Sequence, residues 1–149
     1  LAQVFRMRYP GLIHSLKLLG RMNETRISHA EYLSKRLGEL EGIVPPNIKR
    51  GCKHVYQMYM PRVDETVDRD QLVLVLRGRG IDASVHFMPP VHLMPYYRAR
   101  YGFDWGGLPR TERVSRTVFT LPMHPALTRV DLDGIILATE EAVRAARKG

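Results

Sequence analysis

The chain has 149 residues, 44% hydrophobic and 26% charged, one domain's worth of polypeptide with globular composition. No apolar run reaches the roughly 18 residues that span a bilayer, no secretory signal is visible, and a lone cysteine, Cys52, excludes an internal disulfide and fits a reducing, cytoplasmic setting. The net charge of +8 gathers at the start, where residues 1–53 carry ten Lys or Arg against four acids while residues 54–107 balance at six against six. Without an RNP-like aromatic motif, zinc-finger spacing or GxxG clamp, this reads as a solvated basic face or a contact with an acidic partner, not a nucleic-acid site.

The chain opens on Leu1 and not on methionine, so sequence upstream is expected. From Pro10 to Leu40 the apolar residues Leu12, Ile13, Leu16, Leu19, Ile27, Ala30, Leu33, Leu37 and Leu40 recur at helical spacing. Gly20 and Asn23 invite a break, giving two consecutive helices or one kinked helix that ends at Gly42. GIVPPNIKRG is a loop, because Pro45, Pro46 and Gly51 oppose regular structure. HVYQMYMPRV, from His54 to Val63, alternates as a strand, with Val55, Gln57, Tyr59 and Pro61 on one side and Tyr56, Met58, Met60 and Arg62 on the other. Asp68 with Gln71 forms a capping box for a helix running through Leu72, Val75 and Leu76 to a C-cap at Gly80.

Ile81 to Phe87 reads as a second strand, stopped by Pro89 and Pro90, which donate no ladder bond. A proline-interrupted loop, a short helix over Tyr96 to Tyr101 and the Gly-rich turn YGFDWGG follow. Arg110 to Val118 is then a helix and Phe119 to Leu121 a third strand, while Thr128 with Asp131 caps a last amphipathic helix through Leu132, Ile135, Ile136, Ala142 and Val143. The order predicts an α+β fold: a small three-stranded sheet with flanking helices, preceded by a long helical segment. We divide the single domain 1–149 into a helical lead-in (1–42) and a sheet domain (43–149).

The six histidines fall into no HxH, HExxH or CxxC partnership, so no metal site is expected. There is no GxSxG elbow, Walker motif or dinucleotide fingerprint, and Cys52 has only His54 nearby, so no catalytic residue is assigned. The stretch that invites a ligand is SVHFMPPVHLMPYY, Ser84 to Tyr97, a histidine-bearing, aromatic loop that prolines make rigid.

Taken in order, FRM (Phe5 to Met7), HVYQMYMPRV, DRDQLVLVLRGRGI, VHFMPPVHLMPYY, LPRTERVSRTVFTLPMHPALT and the closing helix resemble the C-terminal part of the DegT/DnrJ/StrS family of pyridoxal-phosphate (PLP) sugar aminotransferases. That resemblance implies the small domain of an aspartate-aminotransferase-like subunit, which closes over the active site of a large cofactor-binding domain. It also implies a homodimer and a keto-sugar nucleotide substrate. His86, His92 and Tyr96, with Arg6 of the FRM motif, become candidates for lining the substrate cleft. The five lysines, Lys17, Lys35, Lys49, Lys53 and Lys148, match no catalytic lysine of the family. PLP therefore belongs to the parent enzyme, and the chain alone is expected to bind none and to be inactive, its large domain supplied by the same or another chain. Val4 stands where the family usually has an asparagine, and Gln57 where many relatives have histidine. The alternative reading is a stand-alone interaction module that reuses this fold, with the basic region Arg6 to Lys53 as its contact surface.

Overall fold

The computed structural model describes residues 10–148, with side chains from residue 18 onward; the FRM motif, Arg6, Val4 and the apolar positions Leu12, Ile13 and Leu16 lie outside those limits. Five α-helices are present among the described residues: α1 (Pro10–Leu37), α2 (Arg69–Gly78), α3 (Pro95–Tyr101), α4 (Pro109–Thr117) and α5 (Arg129–Ala145). Two short strands, β1 (Ile43–Val44) and β2 (Arg62–Val63), and a 3-10 turn (Val91–Leu93) complete the fold. It is a mostly helical α+β architecture. No described helix is long and apolar enough to cross a membrane.

The lead-in is one continuous helix, α1, despite Gly20 and Asn23. Its C-terminal half presents Ala30, Leu33 and Leu37, all fully buried, on one face at spacings of three and four. The helix stops at Leu37 and the chain turns through to Gly42. Gly42 is required there: its φ is +98°, and a Cβ would come within 2.6 Å of Val67 Cγ2. The same core takes Leu72, Val73 and Leu76 from α2 and Leu132, Ile135, Ile136, Ala142 and Val143 from α5, and α2 packs chiefly on α5. Both helices start where their sequences predict, but the expected Asp68–Gln71 capping box is only half made, since the Asp68 N–H donates to Ala146 O at 2.8 Å. Asp68 accepts from the N–H groups of Asp70 and Gln71, while Thr128 and Asp131 form a reciprocal capping box. Thr139, buried in α5, is satisfied by donating to the Ile135 carbonyl at 2.7 Å.

The sheet is smaller than the sequence predicts. Ile43 pairs antiparallel with Val63 and Val44 with Arg62, so a strand forms inside the expected loop. The three expected strands survive mainly as single bridges: Tyr59 with Leu121, Arg62 with Val118 and Ser84 with Thr120. Two backbone departures explain this. Tyr56 and Phe87 have φ of +47° and +57°, a left-handed conformation that breaks strand continuity. Tyr56 is held there by donating its N–H to His54 Nδ1 at 3.0 Å. Below it the alternation resumes, with Tyr59, Pro61 and Val63 all buried. Pro61, Pro89, Pro90 and Pro122 supply no N–H, so pairing cannot lengthen at those points.

Residues 118–121 are consequently the central strip. Phe119 N–H donates to Pro61 O at 3.2 Å and Leu121 N–H to Tyr59 O at 3.1 Å, while Thr120 and Ser84 exchange bonds of 2.8 and 3.3 Å on the other edge. A buried guanidinium fastens the strip to α2: Arg69, 5% exposed, donates to the carbonyls of Ser115 at 3.0 Å and Val118 at 2.9 Å. Its ion pair with Asp70 is less consequential, because the Asp70 side chain is 76% exposed and solvent screens the charge. Arg69→Met is therefore expected to cost about 3 kcal/mol of unfolding free energy, since two carbonyls lose their partner. Asp70→Ala should stay within about 1 kcal/mol. Urea denaturation of both variants checks the difference, and equal losses would contradict it.

Candidate functional site

The strand-end stretch Ser84 to Tyr97 leaves the central strip, turns at Phe87 and folds over α4. Ser115, buried on α4, donates its hydroxyl to Phe87 O at 3.0 Å and so anchors the turn. The Met88–Pro89 peptide is cis. Between this stretch, α3 and α4 lies a hollow of about 480 Å³, bounded by His86, Phe87, Val91, Tyr97, Phe103 and Leu108, with Val114 and Ser115 on the α4 side. Its walls are nearly all carbon, a surface suited to a ring or an apolar side chain. A second hollow of about 490 Å³ lies beside α4 and is lined by charges of both signs, among them Asp68, Arg69, Arg113 and Lys148. Several of these charges are already engaged within the chain, Arg69 with backbone carbonyls and Arg113 with Glu65 at 3.6 Å, so we take the apolar hollow as the candidate site.

The structure brings His86 and His92 to the same hollow. His86 is partly exposed at its rim, its ring 6.2 Å from that of Phe87. His92 is buried, only 7% exposed, with Nε2 3.3 Å from Glu112 Oε1. Tyr96 does not line the hollow. It is 67% exposed and meets Tyr97 edge-on at 5.3 Å. Tyr97 lines the wall in its place, and a run of rings continues through Tyr101 and Phe103 to His92. Arg6 lies outside the described residues.

Glu112 is the site residue that sequence reasoning missed. Only 4% exposed, it accepts from Gly106 N–H through both oxygens at 3.0 and 2.9 Å and from Leu108 N–H at 3.0 Å. The Gly106 bond above all, then those from Leu108 and His92, hold its carboxyl below the usual carboxylate range against the opposing effect of burial. A signal existed in LPRTE, which places a carboxylate in the first turn after an N1 proline, where helix termini favour negative charge and free N–H groups need acceptors. Nearby, the Arg116 guanidinium lies 4.5 Å over the Trp105 ring.

This α+β unit recurs in solved structures. S. venezuelae DesV matches with a TM-score of 0.79 at 34% identity, over 90% of this chain and 34% of its own. Spr1654 of Streptococcus pneumoniae, solved in apo-, PMP- and PLP-forms, has the same fold, with a TM-score of 0.80 at 21% identity over 89% of this chain. In sequence, the spore coat polysaccharide biosynthesis protein SpsC of Bacillus subtilis is 28% identical over 90% of this chain and 35% of its own length. Residues 11–140 match the DegT/DnrJ/EryC1/StrS aminotransferase family, and the chain belongs to it. It spans about a third of the length of these relatives.

The described residues do not themselves fit PLP. That cofactor takes a covalent lysine and an acid beside its pyridine nitrogen, whereas Lys35, Lys49, Lys53 and Lys148 are all exposed and neither a lysine nor a carboxylate lines the apolar hollow.

A pH dependence follows from Glu112. Because its folded-state pKa lies below the unfolded value, the carboxylate's support of the 104–108 loop is fully present above the ordinary glutamate pKa of about 4.3 and is lost as pH falls through the lower folded value. Trp105, the chain's single tryptophan, reports on that loop. Its emission should stay constant from pH 7 to about 5 and shift to the red only below about 4; a transition centred above pH 5 would contradict the assignment.

Proposed function

We propose that residues 1–149 form the small C-terminal domain of a PLP-dependent aminotransferase that passes an amino group to a keto-sugar nucleotide. PLP, its lysine and its acid belong, in this reading, to a large domain in the same or another chain, within a cytoplasmic homodimer. The carrying observation is the family match over residues 11–140 at about a third of the relatives' length. The cofactor assignment draws on Spr1654, a fold relative solved in PLP- and PMP-forms, and the sugar assignment on the name of SpsC, a polysaccharide biosynthesis protein.

The apolar hollow is the part of this chain that faces substrate. His86, at its rim, donates or accepts a hydrogen bond with a sugar hydroxyl or phosphate, and the neighbouring rings offer a flat surface to the sugar or base. His92 acts from beneath, its ring already engaged by Glu112. Tyr96 lies further out along the ring series, where it meets the outer part of the ligand, and Arg6 remains a cleft candidate on the strength of the FRM motif alone. PLP supplies the electron sink for amine transfer; this chain binds and orients the sugar and excludes water.

The test treats the purified chain with PLP, then borohydride, and weighs the product. No stoichiometric lysine adduct is expected, and one stoichiometric adduct at any of the five lysines would overturn the division of labour. In the assembled enzyme, His86→Ala should raise KM for the keto-sugar nucleotide about tenfold, the equivalent of one lost hydrogen bond, with kcat changed less than about threefold. An unchanged KM would remove His86 from the cleft.

A further inference from the structure

We propose that Glu112 is the positioning residue that shapes the substrate-facing hollow, acting through His92 and the 104–108 loop. The inference rests on the reading of that hollow as substrate-facing. Its first support is the exposure pattern: every residue from Pro95 to Thr111 is exposed, and α3 buries none of its seven. Apolar burial therefore contributes little to ordering this segment, and hydrogen bonds must hold it. At the surface these include Arg98 to Asp104 at 2.8 Å, between side chains 46% and 69% exposed, a pair that solvent weakens. The buried anchor is Glu112, whose oxygens receive the N–H groups of Gly106 and Leu108.

The second support is where the partners lead. Leu108 is itself a wall of the hollow, and Phe103, another wall, meets the His92 ring edge-on at 5.9 Å. His92 belongs to the 3-10 turn that carries Val91, a further wall of the hollow. One carboxylate thus ties these walls to α4, which Arg69 and the central strip hold fixed. An ionised carboxylate only accepts, and the donors that converge on it match that property; a glutamine amide of the same shape would turn a donor toward one of them.

Glu112→Gln is accordingly diagnostic. In the assembled enzyme it is expected to raise KM for the keto-sugar nucleotide at least tenfold, leaving KM for the amino donor and the PLP absorbance unchanged. In the 149-residue chain it should make Trp105 more accessible to acrylamide with helical circular dichroism retained. A fall in kcat alone, an unchanged sugar KM, or an equal rise in both KM values would overturn the proposal. If the variant does not fold, hydrogen exchange on the unsubstituted chain decides: the Gly106 and Leu108 amides must exchange more slowly than those of Phe103 and Asp104, and equal rates overturn it. Absence of turnover of any keto-sugar nucleotide by the unsubstituted enzyme would instead overturn the functional reading, a result separable from a failure of Glu112 alone.

Discussion

Residues 118–121 join both edges of the sheet region to the helical core. Four residues pair on one edge with Tyr59 to Arg62 and on the other with Ser84, and they bury Phe119 and Leu121 in the core formed by α1, α2 and α5. The pairing is too short to persist by hydrogen bonding alone. It survives because each end is held separately: Arg69 takes the carbonyl of Val118, and Tyr59, fully buried, shares a hydrogen bond of 2.9 Å with Ser34 Oγ on α1. Burial pushes the Tyr59 phenol up to about 12, so it stays neutral and suits the apolar interior. From this strip the chain leaves at Ser84 toward the hollow and arrives at Val118 from α4, which fixes the two sides of the site relative to one another.

The molecule has two regions of different physical character. The core side is conventional, with α1, α2 and α5 each offering an apolar face. The side that carries the hollow is the reverse: Phe87, Tyr96, Tyr101, Trp105 and Val114 are each between 47% and 67% exposed. Large apolar groups gathered in one place are costly to leave in water, and such patches mark surfaces that meet something else. The relatives it matches are about three times as long as this chain.

Much of the core side was legible in the sequence. Leu33 and Leu37, or Ile135, Ile136 and Ala142, repeat at helical spacing, and the caps at Asp68 and Thr128 gave α2 and α5 their starts nearly to the residue. The strands were less legible because alternation in HVYQMYMPRV ignores the left-handed turn at Tyr56, a local choice made by His54 and by the burial of the tyrosine ring. At the site, His86 and His92 could be read as a pair because prolines make Ser84 to Tyr97 a rigid loop, and they do meet at one hollow. Tyr97 rather than Tyr96 faces inward, a rotation of about 100° along α3 that adjacent identical residues cannot reveal. Arg69 gave no signal and Glu112 only its place in the first turn of α4, because a charged residue on a polar helix reads as solvated, and only the tertiary fold shows carbonyls or amide groups converging on it.

The role proposed for this small unit, amine transfer to a sugar, can be measured in the assembled enzyme. That enzyme is incubated with glutamate or glutamine carrying 15N at the α-amino group and a panel of keto-sugar nucleotides, alongside simple 2-oxo acids, and the label is followed by mass. An amino-sugar nucleotide carrying the label is expected. Label passing only to 2-oxo acids, with no keto-sugar nucleotide converted, would contradict that role.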